Sequence, residues 1–312
     1  MRFLLVFFIL TSHVIANDTP VLSGQQWLAK VDQAMQTLSF HGTVVFFKNG
    51  HLDAMRYQHG FEEGNEVERL TSINSPLREV VRKSSDLLQI NTHTAKPSGR
   101  HPYDRSFILN LPRDTAKLEN QYLLAVADQE ITANRVTQII AVLPKDDMRY
   151  ARKIWVDSAT FLPLRVEVYS PEGTMLEEVL FTDLQLDNPI DSARFMAEEA
   201  ATAIQNLHTK NLDEFEKSPY KIKNLPSGFE LSFFVPNSIQ KSKKTVDHLL
   251  VSDGFSNVSI YIEGKGTQSH QGMRSLGALN SFSKIVGAYQ VTVLGEVPAK
   301  TLEIIASSVT LH

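Results

Sequence analysis

The chain has 312 residues, a formal net charge of −4 at pH 7 and no cysteine. The missing cysteine excludes a disulfide scaffold, a thiol nucleophile, a thiolate zinc site and an iron–sulfur cluster, so stability must come from an ordinary hydrophobic core. The modest negative charge argues against nucleic acid as a partner. A chain of this length favours two domains, at ~100–200 residues each.

Residues 1–16 have the pattern of a secretory signal peptide. Arg2 precedes an apolar run from Phe3 to Leu10, and Ala16 offers a small residue for cleavage. The run is much shorter than the ~20 apolar residues of a membrane-spanning helix. We therefore expect the chain to be exported and cleaved, with the mature protein starting at residue 17.

Residues 24–91 predict one helix followed by a series of strands. Gly24–Leu38 has apolar residues at helical spacing, and Ser23 before it is a suitable N-cap. Phe40–Lys48 and Leu52–His59 alternate around Asn49-Gly50, which is the strongest short-range signal for a β-hairpin. Further strands are predicted at 66–74, 77–83 and 87–91.

The pattern is interrupted in the next stretch. Residues 92–117 contain Pro97, Gly99, Pro102 and Pro112 with little alternation, so they predict a long irregular loop. A short helix is predicted at 120–128, and β-structure resumes at 131–143.

Residues 149–186 give the clearest pattern in the chain, three consecutive antiparallel strands. They are predicted at 149–157, 162–170 and 174–186, separated by Ser158-Ala159-Thr160 and Pro171-Glu172-Gly173. Along the second strand Leu164, Val166 and Val168 point one way and charged residues point the other. This period of two indicates one buried and one solvated face.

Eight or more mostly antiparallel strands in sequential order favour a strongly curved sheet or open β-barrel with covering helices. Such a sheet has a concave apolar face that suits an acyl chain, and edges that suit an extended peptide. The candidate inward residues are Phe46, Met55, Tyr57, Val80, Ile140, Trp155, Val166 and Phe181. The same side chains would also serve simply as the core under the helices.

We place a large domain at 17–200, a linker at 201–220 and a small α+β domain at 221–312. The second domain has predicted strands at 230–235, 247–252, 256–263, 281–286 and 289–296, with hairpin turns at Asp253-Gly254 and Gly287-Ala288. Residues 236–246 and 264–280 are predicted as loops. Pro298–Ser307 is predicted as a closing helix with proline in its first turn.

Charge differs between the two domains. Residues 17–220 contain 21 Lys or Arg against 29 Asp or Glu, a formal −8, whereas residues 221–312 contain nine against six, a formal +3. Lys241, Lys243 and Lys244 are candidates for contact with an acidic partner or with anionic lipid head groups. A solvated lysine-rich loop explains them equally well.

The sequence contains no catalytic or cofactor-binding motif. Its ten histidines are scattered and are interpreted as surface or turn residues, and there is no nucleophile elbow or phosphate-binding loop. Gly264-Lys265-Gly266 follows a strand, but Ser269 takes the third glycine position of a dinucleotide fingerprint. The sequence therefore predicts a binding protein without enzyme activity or cofactor.

Several segments, in their order and spacing, resemble the RseB/MucB family of periplasmic regulators of envelope stress. The strongest is the block 149–173, with Arg149, Tyr150, Trp155 and Asp157 followed by Leu-Pro-Leu at 162–164. Further segments lie at 57–59, 68–70, 75–82, 225–229, 252–256 and 293–298. The sequence departs from the family pattern at Gln58, where Arg is usual, and at 133–135, where Ala-Asn-Arg replaces a small-Gly-Arg turn.

The resemblance implies a large domain similar to the lipoprotein carriers LolA and LolB, joined to a smaller one. It also implies a periplasmic negative regulator, which binds the periplasmic segment of a single-pass anti-sigma factor and protects it from an inner-membrane protease. Lipid, lipopolysaccharide or a mislocalised lipoprotein would enter the concave face and release the segment. The alternative is a periplasmic lipoprotein or lipid carrier. The sequence leaves a homo-oligomer open.

Overall fold

The computed structural model describes residues 22–48, 50–62, 65–73, 78–83, 86–91, 96–102, 106, 108–109, 111, 115–187, 215–216, 218–239, 245–266, 269 and 271–311. The predicted signal peptide and most of the predicted linker lie outside these ranges. Within them, no helix combines the length and apolar character needed to cross a bilayer.

The larger unit is an eleven-stranded antiparallel sheet with strand order β6-β5-β4-β3-β2-β1-β11-β10-β9-β8-β7. The strands are β1 (Phe40–Lys48), β2 (His51–Glu62), β3 (Asn65–Ser72), β4 (Arg78–Lys83), β5 (Asp86–Asn91), β6 (Lys96–Pro102), β7 (Tyr122–Thr132), β8 (Arg135–Pro144), β9 (Ala151–Asp157), β10 (Pro163–Tyr169) and β11 (Met175–Leu186). Strands β6 and β7 are the two free edges, so the sheet is not closed into a barrel.

The sheet curves around helix α1 (Gly24–Thr37), which Ser23 caps with its side chain as predicted. One hydrophobic cluster contains Leu28 and Val31 of α1 together with residues from β3 through to β7 in sheet order, such as Leu70 and Tyr122. Eight neighbouring strands in a flat sheet would spread over roughly 34 Å at ~4.8 Å per strand. A shared core therefore requires strong curvature, and the predicted fold class is confirmed.

The smaller unit is a six-stranded sheet covered by one helix. Its strand order is β13-β14-β15-β18-β17-β16. The elements are β13 (Glu230–Ile239), β14 (Thr245–Ser252), β15 (Asn257–Gly264), β16 (Gly272–Leu276), β17 (Leu279–Val286), β18 (Tyr289–Gly295) and α3 (Ala299–Ser308). Leu302, Ile305 and Ala306 of α3 share a second hydrophobic cluster with this sheet. A separate pair, β12 (Tyr220–Ile222) and β19 (Val309–Leu311), joins the start and the end of the unit.

The predicted helix at 120–128 is wrong. The chain forms a short 3₁₀ helix (Thr115–Lys117), then α2 (Leu118–Gln121), and Tyr122 already begins β7. A register shift between Val126 and Gln129 breaks the alternation along β7 and hides its strand period. Pairing with β8 overrides the helical preference of the Leu- and Ala-rich sequence.

Two predicted loops also contain strands. The stretch 92–117 includes β6, which pairs with β5, and the stretch 264–280 includes β16, which pairs with β17. The basic stretch 236–246 is shorter as a loop than predicted, because β13 extends to Ile239 and β14 begins at Thr245. All three errors concern edge or end segments, where proline or glycine weakens the strand signal.

Candidate functional site

A cavity of about 200 Å³ lies on the concave face of the large sheet, next to the small unit. Its apolar wall comes from β1, β10 and β11 and from the segment before α2. The apolar lining residues are Phe46, Phe47, Val166, Val168, Val179, Ile108 and Leu109. Glu296 of the small unit also lines it, so both units contribute to the cavity.

An ion pair lies in the lining of the cavity. Lys48 Nζ contacts a carboxylate oxygen of Glu177 and lies 3.9 Å from Glu296. Glu177 also accepts a hydrogen bond from the backbone N–H of Ala278 at 3.0 Å. Burial, and then the neighbouring Glu296, raise the pKa of Glu177 above its ordinary value, although Lys48 acts in the opposite direction.

The predicted cavity residues occupy different places. Phe46 and Val166 line the cavity. Met55 and Val80 are half-buried against the core, and three others lie fully inside it: Tyr57, Ile140 and Phe181.

Trp155 does not face the concave side, contrary to the sequence-based interpretation. It pairs with Arg165, whereas its neighbour Ile154 pairs with Val166 and belongs to the core. The indole N–H donates to Glu130 at 2.8 Å, and the Arg165 guanidinium lies 4.5 Å from the ring centroid. Consecutive strand residues face opposite sides, so Trp155 lies on the convex face. Lys241, Lys243 and Lys244 lie outside the described residues.

Strands β2–β4 hold a largely buried group of polar and charged residues that we call the sheet cluster: Tyr57, His59, Glu66, Glu68 and Arg82. Glu68 has no exposed surface. It accepts hydrogen bonds from Tyr57 Oη at 2.7 Å, from Ser106 Oγ at 2.5 Å and from Arg82 Nε at 2.9 Å.

The second half of the sheet cluster is centred on Glu66. Arg82 Nη2 lies 2.6 Å from Glu66 Oε1, and His59 Nε2 lies 3.0 Å from the same oxygen. Burial acts to raise the pKa of Glu66, but His59 and Arg82 outweigh it and hold that pKa below its ordinary value. His59 Nδ1 also faces the carbonyl oxygen of Leu38 at 3.0 Å, so both ring nitrogens have a polar neighbour.

The sheet cluster is an unsuitable metal site. Ligand atoms of His59, Glu66 and Glu68 lie within 4.8 Å of one another. Arg82, however, contacts both carboxylates, so a cation entering between them would meet a guanidinium group. Arg82 bridges the two carboxylates and His59 contacts Glu66, so the arrangement acts as a structural ion-pair network.

A second buried group joins the two units, and we call it the interface clamp: Tyr122, Asp146 and Arg149 of the large unit, with Ser227 and Asp253 of the small unit. Neither the Arg149 nor the Asp253 side chain has exposed surface, and they form an ion pair. Arg149 also contacts Asp146 at 2.5 Å and donates to the backbone carbonyl of Ser227.

Asp253 of the clamp accepts further hydrogen bonds from both units. Tyr122 Oη donates to Asp253 Oδ2 at 2.8 Å, and the other oxygen of Asp253 accepts from the backbone N–H groups of Phe255 and Ser256. Burial lowers the pKa of Arg149, but Asp253 outweighs this effect and the net shift is upward. Phe255 belongs to the hydrophobic cluster of the large unit, so the hairpin turn inserts into that core.

Further contacts extend the interface beyond the clamp. The Tyr150 hydroxyl accepts from Asn280 Nδ2 at 2.9 Å, and Thr301 Oγ1 donates to the carbonyl of Met148 at 2.8 Å. An exposed pair between Lys300 and Asp147 lies at the rim. The two units therefore share a polar, specific interface of the kind that fixes relative orientation.

Sequence reasoning missed both buried clusters. His59 was interpreted as a surface residue, although the period of two along β2 places it on the same face as Tyr57, which was predicted to point inward. The alternation along β2 could therefore have predicted that His59 is buried. Three segments that carried the family resemblance, 149–150, 225–229 and 252–256, meet at the interface clamp, but nothing in the sequence alone indicated that they would meet.

Two family models match the chain. The MucB/RseB N-terminal domain matches residues 23–199, and the MucB/RseB C-terminal domain matches residues 214–310. The chain belongs to the MucB/RseB family. The resemblance expected from the motifs is confirmed.

Curated relatives align over nearly their whole length. The sigma factor AlgU regulatory protein MucB of Pseudomonas aeruginosa is 27% identical over 315 residues, covering 99% of this chain and 98% of the relative. The sigma-E factor regulatory protein RseB of Escherichia coli K12 is 22% identical over 307 residues, covering 94% and 92%. Both relatives are named as regulatory proteins.

A solved structure shares the fold over both units. The MucA/MucB complex of Pseudomonas aeruginosa matches with a TM-score of 0.72 and 24% identity, covering 93% of this chain and 99% of the matched one. MucB in complex with MucA(peri) gives the same values.

Proposed function

We propose that this chain is a periplasmic negative regulator that binds the periplasmic segment of a single-pass anti-sigma factor and protects it from proteolysis. The observation that carries the proposal is membership of the MucB/RseB family across both units. The names of the relatives as sigma factor regulatory proteins support it, as does the shared fold with a MucB structure in complex with MucA(peri). On this proposal the protein binds and shields its partner without transforming it.

Release of the partner requires linkage between two ligands. A lipid, lipopolysaccharide or lipoprotein acyl chain must favour a state that binds the anti-sigma segment less well. The cavity and the interface clamp both involve both units, through Glu296 and Asp253 respectively. A ligand that displaces the small unit from the cavity would strain the clamp and alter any surface built from both units.

The test is protection from cleavage. The mature chain, residues 17–312, is mixed with the periplasmic segment of the anti-sigma factor and with the protease that makes the first cut. We expect cleavage to slow as the protein approaches saturation. Arg149→Met, which breaks the clamp, should reduce protection, whereas Arg165→Gln on the convex face should retain it. Unchanged cleavage at saturating native protein would refute the function.

We also propose that Lys241, Lys243 and Lys244 make salt-sensitive contacts with the partner or with anionic lipid. Replacing all three with Ala should flatten the salt dependence of binding. A triple Ala variant at Lys221, Lys223 and Lys265 removes the same charge from exposed positions of the same unit and is the matched control. Equal salt dependence in the two variants would remove this assignment.

The alternative, a lipoprotein or lipid carrier, would use the same cavity, so the cavity does not separate the two functions. A simple carrier needs no clamped second unit, and this favours the regulator. Transfer of labelled lipoprotein from donor to acceptor membranes, at a rate that depends on this protein, would favour the carrier.

A further inference from the structure

Arg152 is a buried cation that has no carboxylate partner among the residues that the structure describes. Its exposed fraction is 7%, and its guanidinium lies 4.6 Å from the centroid of the Phe255 ring. Its one hydrogen bond, to the carbonyl oxygen of Tyr150, is long at 3.5 Å. In the part of the chain that the structure describes, no Asp or Glu oxygen lies within 4.0 Å of it.

Other arginines of the large unit that have little exposure are neutralised. Arg82 contacts Glu66 and Glu68, and Arg149 contacts Asp146 and Asp253. Leaving a buried charge without an ion-pair partner is costly. Unlike these two residues, Arg152 therefore has a guanidinium group that is available to an anionic ligand.

Arg152 lines the cavity on the concave face. The other charged groups on that face, Lys48, Glu177 and Glu296, are close to one another, because Lys48 contacts Glu177 and lies 3.9 Å from Glu296. The remaining carboxylate of the lining, Glu178, pairs with Arg165 on the opposite face of the sheet. Arg152 is thus the cation of this lining that has no carboxylate oxygen within 4.0 Å among the described residues.

We propose that Arg152 binds the oxyanion head group of a single-chain amphiphile whose apolar part contacts Phe46, Val166 and Val168. A guanidinium presents a planar fork that matches the oxygens of a phosphate or carboxylate. The cavity volume accommodates a head group with a short length of chain. On the proposed function, Arg152 would be the residue that binds the anionic group of the ligand that causes release. The biological role of the site rests on that function, whereas the binding itself does not.

The experiment measures ligand binding to the mature chain by isothermal titration calorimetry, without any anti-sigma segment. The probes are octyl phosphate, octyl glucoside with the same chain but no charge, and inorganic phosphate. Native protein should bind octyl phosphate at least tenfold more tightly than either of the other two. Arg152→Gln should abolish the difference between the two octyl compounds. Arg165→Gln removes a convex-face arginine and should preserve it.

Several results would overturn the site. Equal affinity of native protein for octyl phosphate and octyl glucoside would exclude charge recognition, and this needs no variant. Equal affinity for octyl phosphate and inorganic phosphate would exclude the amphiphile. A ligand role also predicts that Arg152→Gln melts at the same or a higher temperature than the native protein, whereas a structural role predicts a lower one. Failure of protection with Arg152-dependent binding intact would count against the proposed function alone.

Discussion

The sheet cluster and the interface clamp are both buried and both built around an arginine. The sheet cluster connects neighbouring strands of one sheet, whereas the interface clamp connects the two units. Arg82 joins residues of adjacent strands, so its contacts form as soon as the sheet adopts its register. Arg149 reaches Asp253, which is 104 positions away in another unit. The first cluster therefore stabilises one unit, whereas the second fixes two units relative to each other.

The comparison shows that burial alone does not indicate the structural role of a charged residue. Breaking the sheet cluster should lower the stability of the large unit and leave the interface intact. Breaking the clamp should separate the units while each retains its own hydrophobic cluster. Four predictions test this distinction, from the largest expected effect to the smallest.

Arg149→Met should have the largest effect, because it leaves Asp253 buried without its ion-pair partner. Removing one member of a buried pair costs ~3–5 kcal/mol. We expect calorimetric unfolding to separate into two transitions, one for each unit. A single transition at the native temperature would contradict the role of the clamp.

Tyr57→Phe should destabilise the large unit alone. Glu68 loses one of its donors in a fully buried position, and an unmet buried polar group costs ~1–3 kcal/mol. Chemical denaturation followed by hydrogen exchange should show loss of protection in β2–β4 and unchanged protection in the small unit. Tyr169→Phe removes a hydroxyl that donates to Glu167 on the convex face and is the matched control. Equal losses in both units would contradict the prediction.

Glu66 and Glu177 should give opposite pH trends. The pKa of Glu66 is lowered from 4.5, so its carboxylate stabilises the fold above that pH, and this contribution is lost as pH falls through the folded-state pKa. The pKa of Glu177 is raised from 4.5, so native stability declines as pH rises from 4.5 through the folded-state pKa. The free-energy advantage of native protein over Glu66→Gln should shrink in acid, and its advantage over Glu177→Gln should grow. The window for Glu66 lies below pH 4.5 and the window for Glu177 lies above it, so the denaturant titrations must run from about pH 2 to about pH 7. Parallel curves over that whole range would refute both assignments.

Asp147→Asn should have the smallest effect, with no measurable change in the unfolding curve. Its partner Lys300 lies in the small unit, but the pair is exposed, and exposed ion pairs contribute little. A split transition in this variant would mean that any polar contact across the interface, rather than the buried clamp, holds the units together.

The parts of the fold that local pattern governs were predictable. The strands β9–β11 follow from alternation and from turns with Pro and Gly, and helix α1 follows from its apolar spacing and the cap at Ser23. Strand β7 was not predicted, because the irregularity between Val126 and Gln129 interrupts its period.

The sites were less predictable than the fold. Phe46 and Val166 line the cavity, but the pattern gave the wrong face for Trp155, whose large apolar ring packs with Arg165 on the convex side. The contacts of the clamp between the two units join residues 78 to 131 positions apart, which no local pattern reports. The motifs that carry the family resemblance include residues of the clamp, but they do not indicate what these residues do.

The pairing of β12 with β19 has a practical consequence for dissecting this protein. Tyr220 lies opposite Leu311 and Ile222 opposite Val309, so the polypeptide enters and leaves the small unit at adjacent points. A module with neighbouring ends can be excised, grafted into a surface turn of a host or rejoined in a different order without stretching its backbone. An excised piece should begin before Phe215, because this ring packs against Phe234 of the small unit, and it should end at Leu311. Such a piece would allow the contribution of each half to be measured separately.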